Sequence, residues 1–368
     1  MSSFSKAHTQ FTLDLFQQLG KSKEENVFYS PFSITAALRL LLLGSKGNTA
    51  QQIREVLHLQ EDTKNTKEES TRHVEGSENV HFHFQELVTD LSKPTDAYQL
   101  KIANKFYGEK TFPFSQKYVD AITKYYLANA ESVDFVNDAE ENEKKINCWV
   151  ESQTNGKIKN LLPDGTLDSS TILVLVNAIY FKAEWDQKFY TNKTKEAEFW
   201  LTKDAEARIL EIPYKGKDLS MIVLLPNEVE GLQKLEQHLT AEKLIKWMSS
   251  ENMENVEVNL HLPQFKMEKS YELNSMLKAM GIVDAFNPRD ADLSGLAEHR
   301  GLVVSEALHK SFVEVTEEGT EAAAATGLVT RVTSMPVQEQ FYCNHPFLFF
   351  IKQNKTNSIL FFGRVSSP

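Results

Sequence analysis

Few stretches of this 368-residue chain carry residues that could do chemistry. "SEALHKS" places Ser305 and Glu306 just before His309 and Ser311 just after it. A hydroxyl, an imidazole and a carboxylate are the parts of a nucleophilic hydrolase, and such triads assemble in space rather than in sequence. The spacing therefore leaves open a hydrolase using Ser305 or Ser311 with His309. "HFHF" at His81–Phe84 would put two imidazoles on one face of a strand. No third ligand lies nearby, so these histidines read as structural rather than as a metal site. Cys148 and Cys343 are the two cysteines, with no CxxC or Cys/His ligand spacing, and read as plain thiols of a reducing compartment. There is no Walker loop, no GxGxxG after a strand, no HExxH and no GxSxG elbow. Neither a metal nor a cofactor is expected.

The elements that would have to position these groups are helical early and stranded late. "SPFSITAALRLLLLGSKGN" opens with Ser-Pro start signals and closes on Gly44 and Gly47. "NTAQQIREVLHL" repeats the helical pattern, with Thr49 placed to cap it. Residues 60–80 are polar and charge-dense and read as a long solvated loop. "EENEKKINCWVESQTNGKIKNLL" is amphipathic and ends near Gly156, and "STILVLVNAIYFKAEW" reads as a strand buried on both faces. Shorter strand candidates follow: "ARILEIPYK", "LSMIVLLP", "NVEVNLHLPQFKM", "SFVEVTEE", "HPFLFFIKQ" and "SILFFGRV". Helical stretches at "GLQKLEQHLTAEKLIKWMS" and "SYELNSMLKAMG" separate them. This order favours an α+β fold.

Apolar residues make up 41% of the chain and charged residues 25%, ordinary for a soluble globular protein. The net charge of −11 argues against nucleic acid, heparin or an anionic membrane as partner. The N-terminal residues Phe4, Ala7, Phe11, Leu15 and Leu19 recur at helical spacing, without the basic start and apolar run of a signal peptide. The expectation is a soluble cytoplasmic protein whose sequons at Asn192 and Asn354 stay unused.

One segment fits no motif. In "EEGTEAAAATGLVTRVTS", alternate residues from Thr320 (Ala322, Ala324, Thr326, Leu328, Thr330 and Val332) carry no charge. Glu321 and Arg331 fall on the other parity, so a strand here could bury one face and keep its charges wet. Alanine and glycine are poor strand residues, and the alanine run favours helix. The pattern alone fits an insertable strand, a flexible surface loop or a short exposed helix.

Several blocks resemble the serpin family along essentially the whole chain. They include "NVFYSPFSI", "GSKGNTAQQI", "INCWVESQTNGKIKNLL", "LVNAIYFKAEW", "ADLSGL", "LHKSFVEVTEEGTEAAAAT" and "CNHPFLFFIKQNKTNSILFFGRVSSP". The start at Met1, the long loop at 60–80 and the "RVSSP" ending are similar to the ovalbumin clade of intracellular serpins, nearest to the squamous cell carcinoma antigen group. The resemblance implies a single domain over 1–368, with three β-sheets, about nine helices and an exposed reactive-centre loop at 317–340. It implies a suicide inhibitor rather than an enzyme: a protease attacks the loop, forms an acyl-enzyme, and is trapped when the cut loop inserts as a new strand. Storage and carrier serpins supply the alternative, a non-inhibitory binding or regulatory protein. A monomer with a risk of polymerisation is implied, with release outside the cell as a second location.

The resemblance also assigns residues. The hinge is Glu317, Glu318, Gly319, Thr320, Glu321, Ala322, Ala323, Ala324, Ala325 and Thr326. Counting forward from it sets the scissile bond at Thr333–Ser334; counting back from "FYCNHP" sets it at Val332–Thr333, and Arg331–Val332 is a third candidate. Val332 before Thr333 suits papain-like cysteine proteases of the cathepsin type, with chymotrypsin- or elastase-like serine proteases as second targets. Ser30, Ser33, Asn177 and His309 match the polar cluster beneath the opening sheet, and Trp185 the tryptophan where insertion begins. One departure stands out. After "AEFW" the chain runs "LTKDAEAR" straight into "ILEIPYKG", about twenty residues shorter than the family, room for two strands with turns. Such a loss is expected to leave a sheet edge uncovered.

Overall fold

The computed structural model describes residues 3–59, 73–189, 196–204, 206–320 and 339–367. Nine α-helices lie among them: α1 (Ser3–Leu19), α2 (Pro31–Gly44), α3 (Gly47–Val56), α4 (His73–Ser92), α5 (Gln116–Tyr126), α6 (Phe135–Gln153), α7 (Leu232–His238), α8 (Ala241–Met248) and α9 (Asn274–Met280). The α2 start follows its signals. Pro31 is the first helical residue, where the missing N–H is harmless, and the Ser30 hydroxyl accepts from Ser33 N at 3.0 Å. Thr49 does not cap α3. That helix begins two residues earlier at Gly47, and the Thr49 hydroxyl instead accepts from Asp292 N. Helix α4 begins at His73, inside the expected loop at 60–80. Its apolar face at Phe84, Leu87, Val88 and Leu91 buries at helical spacing, and the helix propagates back from that anchor. The single helical stretch read at 231–249 is two helices, because Thr240 leaves the helical path and caps α8 by accepting from Lys243 N.

The strands are β1 (Val27–Tyr29), β2 (Tyr98–Glu109), β3 (Asn129–Val133), β4 (Leu173–Glu184), β5 (Glu196–Lys203), β6 (Ala207–Pro213) and β7 (Leu219–Pro226). The series continues with β8 (Glu254–His261), β9 (Phe265–Glu272), β10 (Val304–Val315), β11 (Gly319–Thr320), β12 (Glu339–Tyr342), β13 (Phe347–Gln353) and β14 (Ser358–Val365). A six-stranded sheet runs β3-β2-β4-β11-β10-β9. A continuous ladder of eight runs β1-β14-β13-β7-β6-β5-β8-β12.

Strand β5 explains that continuity. Glu196 to Leu201 pair with β8, and Trp200 to Lys203 pair with β6. The two smaller sheets of the expected fold are thereby joined edge to edge, through a strand that serves one at its start and the other at its end. The shortening therefore does not leave the edge of β6 open from Arg208 to Glu211, and Ile212 beyond it is buried.

Both faces of the six-stranded sheet are covered, as the apolar run in β4 requires. Leu173, Leu175, Ile179, Phe181 and Ala183 face the main core with α1 and α2. Val174, Val176, Ala178 and Tyr180 face a second cluster with Ile146 and Val150 of α6 and with Leu161 and Leu162 after it. Fully buried Arg364 of β14 binds Glu236 of α7 through two bonds, at 2.6 and 3.0 Å, and the carbonyls of Gly20 and Ser22. That bidentate pair fastens the last strand to the first helix and to α7.

Candidate functional site

The site is the seam between β4 and β10. These strands pair directly and in parallel from Leu173↔Val304 to Tyr180↔Phe312. Period-two alternation puts Asn177 and His309 on the inner, α2-facing side, and the register makes them direct neighbours. Two polar groups at apolar-parity positions need partners, and they find them in each other and in the start of α2.

His309 is fully buried and holds no charge: desolvation lowers its pKa to about 3. Ser30 N–H donates to Nε2 at 3.1 Å, so Nδ1 carries the ring proton and donates to Asn177 Oδ1. Asn177 Nδ2 donates to Ser33 Oγ at 2.6 Å, to Ser33 O at 3.0 Å and to Asn104 Oδ1 of β2. The Ser30 hydroxyl donates to Leu360 O at 2.6 Å. The four residues expected at this cluster thus meet, and a fifth, Asn104, joins them. Asn104 was missed, although "KIANKF" sets it between Ile102 and Phe106 on the inner parity of β2, where only apolar residues belong. The hydrolase arrangement does not assemble. Both His309 nitrogens are engaged elsewhere, Ser311 Oγ donates to Phe28 O, and Ser305 Oγ accepts from Ile172 N.

At the upper end the seam is already parted. Strand β11 sits between β4 and β10 and is antiparallel to both, with Thr320 opposite Val315 and Ala183, and Gly319 opposite Glu184. Trp185 N donates to Glu318 O at 2.9 Å and Phe189 N to Glu317 O at 2.7 Å. The Trp185 indole N–H reaches Thr316 O at 3.0 Å. Trp185 itself is buried and stacks on Tyr214, ring centroids 4.6 Å apart and planes 8° apart. Three backbone carbonyls in succession, Thr316 to Glu318, are therefore held by two residues of the segment that follows β4. Of the expected hinge, Glu317 to Thr320 are placed here. Glu321, Ala322, Ala323, Ala324, Ala325 and Thr326 lie outside the described residues, as do Arg331, Val332, Thr333 and Ser334.

The other chemical candidates resolve as packing. "HFHF" lies on α4 and not on a strand. His81 is buried against the Tyr126 hydroxyl at 2.5 Å, while His83 is exposed. Desolvation, reinforced by the Arg39 charge, lowers the His81 pKa to about 3. Burial pushes the Cys343 thiol up, and Cys148 is exposed; both are free. Asn354 Nδ2 is tied to Lys217 O and Ser220 Oγ, which leaves that amide no freedom to take a glycan in the folded chain. Among the described residues no group of three or more His, Cys, Asp or Glu could hold a metal ion, and no helix is long and apolar enough to cross a membrane.

Known proteins are similar to this chain in sequence and in fold. A family profile described as "Serpin (serine protease inhibitor)" matches residues 6–208 and 201–368, two stretches that overlap at the β5–β6 hairpin. Serpin B3 and Serpin B4 of Homo sapiens are 59% and 60% identical over 391 aligned positions covering all of both chains. Against 368 residues, 391 positions leave 23 facing no residue of this chain. The leukocyte elastase inhibitor of Sus scrofa is 45% identical over the full length of both. Among solved structures, uncleaved ovalbumin matches with a TM-score of 0.86 at 34% identity, covering all of both chains. A loop-inserted, cleaved ovalbumin mutant matches equally over all of both, with a TM-score of 0.85.

Proposed function

The chain belongs to the serpin family, in the company of ovalbumin-type relatives, and we propose that it is a suicide-substrate inhibitor of proteases. One observation carries the reading: β11 already lies between β4 and β10 as the first rung of an antiparallel strand, with the closed seam continuing below it. The protease nucleophile attacks the scissile carbonyl, the peptide bond breaks, and the new amine leaves with the C-terminal segment. The remaining acyl-enzyme is a thioester for a cysteine protease and an ester for a serine protease. The acylated strand extends β11 down the seam and carries the protease with it before water reaches the acyl bond. His309 and Asn177 act as the latch that has to part, not as catalysts.

The target class follows from Val332 and Thr333. An apolar residue one step before the acyl donor suits cathepsin-type cysteine proteases, with chymotrypsin- and elastase-like enzymes next. Thr333–Ser334 is the bond assigned, with Val332–Thr333 and Arg331–Val332 as alternatives. The name of the elastase inhibitor among the relatives supports the serine-protease arm. The protein would act as a monomer in the cytoplasm, in keeping with two unpaired cysteines, with extracellular release as a second setting. Titration of cathepsin L and of chymotrypsin tests the proposal. It requires loss of protease activity near one-to-one stoichiometry, a released peptide whose mass fixes the cut, and a sharp rise in unfolding temperature. Turnover of the chain as an ordinary substrate would refute it. The shortened β5–β6 link favours a second reading, a non-inhibitory binding serpin, for which cutting the loop brings no thermal gain.

A further inference from the structure

Asn155 and Gly156 form the one Asn-Gly pair in the chain. With no side chain on the following residue, the backbone nitrogen after an asparagine can swing onto the carboxamide carbon, so this dipeptide is the most open to deamidation. The pair closes helix α6. Thr154 ends the helix, Asn155 follows at φ 53° and Gly156 at φ 74°, both in the left-handed region that terminates helices. Gly156 N–H donates to Glu151 O at 2.8 Å, the longer of the bonds that seal such a turn. Fully buried Thr154 locks the turn from inside: its hydroxyl donates to Val150 O at 2.8 Å and accepts from Ile158 N at 3.2 Å. Asn155 is exposed, with Nδ2 reaching Gln99 Oε1 of β2 at a long 3.3 Å. A Cβ built on Gly156 would meet nothing within 4 Å, so this glycine serves its backbone angle and leaves the pair open to water. The carboxamide to be attacked therefore faces solvent, while the nitrogen that would attack it is held.

We propose that Asn155 is a site of spontaneous deamidation, gated by the last turn of α6 and acting on the cover of the six-stranded sheet. When the turn opens, Gly156 N leaves Glu151 O, gives its proton to water and bonds to Asn155 Cγ. The Cγ–Nδ2 bond breaks, the Nδ2 group takes up a proton and leaves as ammonia, and a succinimide ring remains. Water then opens the ring at either carbonyl to give aspartate or isoaspartate, so one water is consumed for each ammonia released. Either product puts a carboxylate at the negative end of the helix dipole and removes the donor to Gln99. Isoaspartate also lengthens the backbone by a methylene, which takes the Gly156–Glu151 and Ile158–Thr154 bonds out of register. The segment beyond the turn lies over the seam. Ile158, Leu161 and Leu162 are fully buried in one cluster with Val176 and Tyr180 of β4 and Phe312 of β10. Lys310 of β10 donates to Lys159 O at 2.8 Å, and Asn147 of α6 binds the N–H and the carbonyl of Leu162, each at 2.8 Å. Loosening the turn therefore loosens the layer that covers β4 and β10. This holds whether or not the chain traps proteases.

The folded full-length chain, its Thr154→Val variant and a synthetic peptide spanning residues 146–157 are incubated at mildly alkaline pH. Product is read after digestion as the amide-to-acid mass change, with fragmentation to assign it to Asn155 rather than Asn147, and as isoaspartyl methyltransferase labelling. The folded chain is expected to convert about tenfold or more slowly than the peptide, because the turn must open first. Thr154→Val keeps the shape and removes the two hydroxyl bonds, and is expected to speed conversion about three- to tenfold. Should Thr154→Val fail to fold, urea below the unfolding transition replaces it, with the rate expected to rise with urea. Hydrogen exchange at residues 158–162 is expected to be about threefold or more faster in the purified isoaspartate form than in the parent. A folded rate equal to that of the peptide, a rate indifferent to Thr154→Val or to urea, no product at Asn155 over many peptide half-lives, or unchanged exchange at 158–162 would overturn the proposal.

Discussion

Replacing His309 with leucine tests the latch most directly. Leucine is similar in volume, so packing is kept while two buried partners are stranded: Asn177 Oδ1 and Ser30 N–H. Each orphaned group costs about 1–3 kcal/mol, so the closed form should lose about 4 kcal/mol. At about 2.1 cal/mol/K per residue, 368 residues give an unfolding entropy near 0.8 kcal/mol/K, and the melting temperature should fall by about 5 °C. The informative comparison is with the cleaved form. A strand inserted between β4 and β10 moves them from about 4.8 Å apart to about 9.6 Å, which separates His309 from Asn177 whatever residue stands at 309. Only the Ser30 N–H is then newly orphaned, and the cost drops to about 2 kcal/mol. The closed form is thus selectively weakened by about 2 kcal/mol, roughly a 30-fold change in an equilibrium or in the rate of a step that breaks the latch. Thermal and urea unfolding of cut and uncut protein, with size-exclusion assay of polymers, reads both quantities. Equal losses in the two forms, or a melting temperature unmoved in the uncut one, would show that His309 does not latch the seam.

Further outcomes follow from other parts of the structure. His8, His81 and His309 are buried neutral, with pKa values lowered to about 4, 3 and 3. Unfolding raises each to about 6.5, so the unfolded chain binds more protons and stability falls as pH drops from about 6.5 towards 4. At pH 5 each histidine accounts for about 2 kcal/mol and the three for about 6; calorimetry in buffers of different ionisation enthalpy should find close to three protons taken up, and uptake below one would contradict the burial argument. Thr320→Arg puts a cation into the strand between β4 and β10 and should turn an inhibitor into a substrate, read as a several-fold rise in inhibitor consumed per protease trapped; unchanged stoichiometry would refute it. Arg364→Met leaves the Glu236 carboxylate, 4% exposed, with Lys23 alone and should cost about 3–5 kcal/mol. Urea midpoints check this, and a loss under 1 kcal/mol would mean that the pair is replaceable by packing.

Much of the seam was legible because it obeys local rules. The Ser30-Pro31 start and the two-faced apolar run of β4 each follow from propensity or from a period of two. Asn177 and His309 could be named, but their meeting depends on a parallel register 132 residues apart in the chain, which no local pattern sets. The start of α4 was hidden by its polar composition, since the apolar face that anchors the helix lies wholly in its second half. The outcome at β5 was legible only as a loss. That one strand would pair with β8 at its start and β6 at its end depends on which edges lie open in space.

The direction of pairing at the seam has a thermodynamic consequence. Strands β4 and β10 share one parallel ladder, whose slanted hydrogen bonds are slightly weaker per residue, while β11 meets both of them antiparallel. Each further residue threaded behind Thr320 would replace a rung of that single ladder with rungs on two antiparallel ones. On the inhibitory reading proposed above, the closed sheet would be an incomplete structure whose missing strand is already covalently attached, its completion held back by the Asn177–His309 latch and by the connections at the two ends of the loop.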